Sequence, residues 1–219
     1  MKNKLFGMLL GASALMAAAG VTPAQAQALD GATAATLCGS SYPGVTGPDQ
    51  LSPCQWDMAR IKATAANAKA TGKGVKVGII DGGIDFNHPD LAGAIDVNLS
   101  CSFIYSTTPT ADPAEVANGD CSKKSAVQDL EGHSTHVATT IAGRKNGIGI
   151  VGVAPEATVV GLKVCTIEGY CFADSVAAAL RYAGDKKLDV VNLSLYADPY
   201  LYYCGSDAQQ RAMYKSIAD

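Results

Sequence analysis

Only three histidines occur in the 219 residues, His88, His133 and His136, so imidazole chemistry has few candidates. Two of them lie in the run Gly132-His133-Ser134-Thr135-His136-Val137-Ala138. Upstream, a β-rich stretch ends at Asp81-Gly82-Gly83. A carboxylate set against an imidazole makes an oriented general base. The carboxylate fixes the tautomer and steadies the developing charge, while the other ring nitrogen takes a proton from a hydroxyl nucleophile. Taken alone, Asp81 suits a turn at a strand end equally well, because Asp-Gly-Gly is turn chemistry. Zinc ligation by His133 and His136 is disfavoured, since helical sites of the HExxH type space their histidines four apart rather than three. His88 precedes Pro89 and reads as a structural turn residue. His136, one turn beyond His133, reads as packing or hydrogen-bonding inside.

The elements that must position these groups follow from residue pattern. Residues 75–80, 157–164 and 190–195 are β-branched runs and read as strands. Residues 56–70, 134–143 and 173–187 read as helices, as does 208–218 after a Ser206 or Asp207 N-cap. Strands alternating with helices predict an α/β fold with a parallel sheet, whose functional groups gather at the carboxyl ends of the strands. Asp81 stands at such an end. Residues 100–130, with Pro, Asp, Asn and two cysteines, read as a long surface loop.

Composition excludes several classes. Net charge is −3, with Lys and Arg scattered, so neither nucleic acid nor an anionic membrane is an expected partner. Lys2 and Lys4, the apolar residues 5–19 and Ala24-Gln25-Ala26 have the order of a cleavable signal peptide over residues 1–26, too short an apolar run for a membrane span. Residues 27–50 read as an irregular segment, and the mature chain is expected to be exported, extracellular or periplasmic. Seven cysteines without CxxC spacing fit disulfides in an oxidising compartment rather than a zinc cluster. Glu168-Gly169-Tyr170 suggests a short turn that closes Cys165 on Cys171; Cys38–Cys54 and Cys101–Cys121 are the next pairs, leaving Cys204 as a free thiol.

Three segments in order carry a family resemblance. Gly74-Val75-Lys76-Val77-Gly78-Ile79-Ile80-Asp81-Gly82-Gly83-Ile84-Asp85 is followed by His88-Pro89-Asp90-Leu91. The histidine run is followed by Gly152-Val153-Ala154-Pro155, and Asp189-Val190-Val191-Asn192-Leu193-Ser194-Leu195 comes last. Together they resemble the aspartate motif, the histidine motif and the substrate-edge strand of subtilisin-like serine peptidases, over roughly residues 50–219. The resemblance implies a three-layer α/β fold around a central, mostly parallel sheet, here incomplete, with residues 51–219 forming part of a peptidase domain. It implies Asp81 as orienting carboxylate, His133 as general base, and Ser194 and Leu195 as backbone partners of an extended polypeptide substrate. It implies a monomer that needs no cofactor for its chemistry, with room for a structural calcium near Asp90, Asn146 and the carbonyls of residues 146–150.

The chain also departs from that family. Neither the Gly-Thr-Ser-Met-Ala nucleophile segment nor the Ala-Ala-Gly-Asn oxyanion segment occurs in it. The 219 residues alone are therefore expected to be inactive, as a piece of a secreted endopeptidase. The alternative is an inactive pseudopeptidase or peptide-binding module. Gly82 stands where Ser or Thr is usual, Ser134 and Thr139 replace glycines, and Tyr196 replaces a glycine beside the substrate edge. The added Cβ atoms at Ser134 and Thr139 are expected to crowd the helix start.

Overall fold

Strand-forming runs separated by Ala-rich periodic stretches assemble into a four-stranded sheet in a computed structural model, which describes residues 33, 36, 38, 44–195 and 207–218. The strands are β1 (Lys76–Asp81), β2 (Cys101–Ser102), β3 (Thr158–Lys163) and β4 (Val190–Asn192). Their order is β2-β3-β1-β4 and every pairing is parallel. Lys76 to Asp81 run in register with Thr158 to Lys163. Successive side chains of a strand point to opposite faces, so each buried strand feeds two cores. On one face Val77, Ile79 and Val159 pack with Ala138 and Ala142 of α3 (His133–Ala142). On the other, Ile80, Val160 and Leu162 pack with Val176, Ala179 and Ala183 of α4 (Ala173–Asp185). Helix, sheet and helix form the three layers.

Several expectations are corrected. The helix expected over 56–70 is two short ones, α1 (Trp56–Arg60) and α2 (Ala63–Asn67). They meet at Lys62, whose φ of 59° turns the chain so that Met58 and Ala63 are both buried. Residues 100–130 are more than a surface loop: they contribute β2 and bury Phe103, Ile104, Glu115, Ala126 and Val127. The last strand is shorter than 190–195 and half-exposed, with Val190 52% exposed at the sheet edge. The final helix, α5 (Ala208–Ala218), packs on α4.

Disulfides join Cys38–Cys54, Cys101–Cys121 and Cys165–Cys171, with Cα separations of 5.5, 4.5 and 3.9 Å. Cys204, Tyr196, residues 1–26, where a signal peptide is expected, and most of the segment 27–50 lie outside the described residues. Among the described residues no helix is long and apolar enough to cross a membrane.

Candidate active site

Strand β1 lies between β3 and β4, which the chain reaches on opposite sides of it, so its carboxyl end opens at a topological switch point. Asp81 is its last residue. The chain leaves the sheet through Gly82 and Gly83. The latter has φ 112°, and a Cβ there would stand 2.2 Å from the Val127 carbonyl oxygen, so only glycine fits.

His133 opens α3, and its position depends on how that helix starts. Four amide N–H groups at a helix N-terminus lack internal partners. Gly132 turns the chain in with φ 106°. The Asp129 carboxylate accepts from the N–H groups of Glu131, Gly132 and Thr135 and from the Thr135 hydroxyl, at 3.1, 2.9, 2.8 and 2.6 Å. The Glu131 carboxylate accepts from the His133 N–H at 2.9 Å. Burial opposes the charged form of Asp129, but these bonds together outweigh it and hold its carboxyl below the usual range. Two acids before a helix are a legible N-terminal signal, and sequence reasoning passed over both.

The helix start is stitched to the turn after Asp81. Thr135 Oγ1 accepts from the Asp85 N–H at 3.0 Å, the Ile84 N–H donates to Val127 O at 2.9 Å, and the Ser134 hydroxyl donates to Gly83 O. Ser134 therefore does not crowd the site; its buried hydroxyl joins the two segments. Thr139 is also accommodated, donating to His136 O at 2.9 Å. No hydroxyl is needed at position 82, because the Gly82 N–H itself donates to Asp81 Oδ1 at 2.6 Å.

These constraints bring together two residues that stand 52 positions apart. His133 Nδ1 lies 3.0 Å from Asp81 Oδ1, with the Asp81 side chain 4% exposed and that of His133 48% exposed. The hydrogen bond to Asp81 raises the His133 pKa above its ordinary value; slight burial opposes this, and the charges of Asp81, Glu131 and Asp129 reinforce it. His136, expected inside, is exposed instead, because α3 turns that face to solvent. His88 sits in the turn before Pro89, as its context predicts. Ser194 and Leu195 lie past the end of β4: Ser194 is exposed and accepts from Asn192 Nδ2 at 3.0 Å, and Leu195 packs partly on the second core.

A second polar cluster lies where Asp90 meets residues 146–150. Asp49 and Asp90 are both buried. Asp90 Oδ2 accepts from the Ile150 N–H at 2.9 Å and Asp49 Oδ1 from the Gly147 N–H at 2.7 Å. Asp90 Oδ1 and Asp49 Oδ2 have no hydrogen-bond partner among the described residues. Burial raises both carboxyl pKa values, and for Asp90 the neighbouring Asp49 adds to the rise. Asp49 was invisible to sequence reasoning, because it joins from a segment about a hundred residues away. Among the described residues no group of three or more His, Cys, Asp or Glu side chains is placed to hold a metal ion.

A carboxylate buried at a strand end, holding one nitrogen of an exposed imidazole, is the arrangement of an oriented general base. Residues 72–214 match the profile of the Subtilase family (Peptidase S8), and the chain belongs to this family. It is 39% identical over 141 residues to subtilisin BL of Lederbergia lenta, covering 64% of this chain and 44% of that relative. Subtilisin E of Bacillus subtilis (strain 168) is 36% identical over 141 residues, covering 64% of this chain and 32% of that protein. The intracellular serine protease of Paenibacillus polymyxa is 32% identical over 154 residues, covering 70% and 43%. The chain thus spans less than half the length of these curated relatives.

Proposed function

We propose that this chain supplies the aspartate and histidine of an Asp-His-Ser triad in a secreted serine endopeptidase, and that the nucleophilic serine comes from residues outside these 219. The observation that carries the reading is the 3.0 Å contact between Asp81 Oδ1 and His133 Nδ1. Held by Asp81 in the Nδ1–H tautomer, His133 presents a basic Nε2. It takes the proton of the serine hydroxyl as that oxygen attacks the peptide carbonyl, then gives it to the leaving amine, so an acyl-enzyme forms for water to hydrolyse. Asp81 steadies the imidazolium between the two transfers. Ser194 and Leu195, past the half-exposed edge strand, would pair with the backbone of an extended polypeptide. Three disulfides and a leader over residues 1–26 support export.

A fluorophosphonate probe tests the assignment. The 219-residue chain should not label, whereas a longer gene product containing Gly-Thr-Ser-Met-Ala should label and should lose labelling in a His133→Ala variant. Stoichiometric labelling of the 219 residues would place the nucleophile inside them. A longer product that binds peptides without labelling would make the protein a binding module.

The Asp49–Asp90 cluster fits a structural calcium. Two buried carboxylate oxygens without donors suit a hard cation with oxygen ligands. Asp49 and Asp90 would hold the ion, with the Asn146 side chain and carbonyls of residues 146–150 as neutral ligands. It would offset the repulsion of the two carboxylates and take no part in the chemistry.

A further inference from the structure

The largest fully buried side chain among the described residues carries a charge. Lys163, the last residue of β3 and the register partner of Asp81, is 1% exposed. Its ammonium is surrounded by three oxygens: Gly82 O at 2.6 Å, Gln128 O at 3.2 Å and Glu115 Oε1 at 2.9 Å. Glu115 is also 1% exposed, and no other group among the described residues bonds its carboxylate. It arrives on the loop closed by Cys101–Cys121, where the buried Ser102 hydroxyl holds its carbonyl at 2.9 Å.

The two carbonyls matter because of where they lie. Gly82 directly follows Asp81. Gln128 directly precedes Asp129, whose carboxylate fixes the start of the helix that begins with His133. One ammonium therefore clamps a peptide unit from each of the two stretches that carry the pair. We propose that Lys163 is a positioning residue for the Asp81–His133 pair, acting through Gly82 O and Gln128 O, with Glu115 as the counter-charge that allows a cation to be buried there. The inference rests on reading that pair as the oriented base.

The rival is that Lys163 and Glu115 only hold the loop to the core. A buried ion pair is poor evidence for stability, since apolar replacement of both partners is often neutral or better, whereas removing one strands the other. That asymmetry separates the roles. In the full chain, Lys163→Met/Glu115→Leu should keep a thermal midpoint near that of the parent but lose the clamp. The readout is the tautomer of the neutral His133 ring, taken at a pH above the end of its own titration, from the ring 15N shifts of histidine-labelled protein. In the parent, the Nδ1–H form should dominate, and Asp81→Asn should abolish that preference. If the parent shows no preference, the pair itself is misread. If the parent does, the double variant should reduce the Nδ1–H to Nε2–H ratio by about tenfold or more, the worth of a hydrogen bond to a charged group. A folded double variant with an unchanged ratio overturns the positioning role. Should it fail to fold, Glu115→Gln keeps the shape and removes the counter-charge. Its ratio should fall in the same direction, and an unchanged ratio would equally overturn the proposal.

Discussion

His133 is where a single hydrogen bond sets a measurable property. Asp81 raises its pKa, so the folded state binds that proton more tightly than the unfolded chain, whose imidazole titrates near about 6.5. The stabilisation this brings is fully present below the unfolded value and is lost as pH rises through the folded one. A histidine NMR titration should give a His133 midpoint above about 6.5, and Asp81→Asn should bring it down, because the largest cause of the shift is gone. A midpoint that ignores Asp81→Asn would place the cause elsewhere. In a longer, active product the same shift should move the acid limb of the kcat/KM profile to higher pH, since only the neutral ring accepts the serine proton.

The element that departs most from its sequence reading is the stretch between β2 and α3. Disulfide Cys101–Cys121 ties its base to the sheet, and Phe103, Ile104 and Glu115 are buried behind it. Cys101→Ala/Cys121→Ala should therefore cost stability. Closing a loop of sequence separation 20 is worth about 3 kcal/mol in chain entropy, to be read as a lower denaturant midpoint. A change within error would mean the packed residues hold the loop without the bridge. β4 is the most exposed strand of the described sheet: an edge strand three residues long, with Val190 52% exposed.

At the scale of the whole molecule, the Asp49–Asp90 cluster joins the start of the described chain to the loop after α3. The Leu51 N–H donates to Gly149 O at 2.8 Å, and Gln55 bonds Val151 through both its amide atoms. With no cation bound, two carboxyls with raised pKa values weaken the fold as pH climbs from about 4 through those values, because the folded state prefers them protonated. Calcium should reverse this, raising the thermal midpoint at neutral pH; ligand at a hundred times its Kd adds about 2.7 kcal/mol. A chelator should remove the gain, and Asp90→Asn should remove the response to calcium. A midpoint indifferent to calcium would show that the cluster is held by its hydrogen bonds alone.

The sequence by itself determined what local pattern can encode. Strand and helix periods placed β1, β3, α3 and α4 within a few residues, and Asp81 at a strand's carboxyl end. A motif with one histidine at its helix start singled out His133. Short sequence separations gave the three disulfides. Other features depend on chain segments far apart, whose meeting leaves no periodic trace. The burial of Lys163 against Glu115, the approach of Asp49 to Asp90, and the use of Ser134 as a link to Gly83 are of this kind. Each pairs a polar residue that pattern alone would leave in solvent. Only the tertiary structure buries such a group, and only the hydrogen-bond or charge partners it brings up offset the cost of doing so.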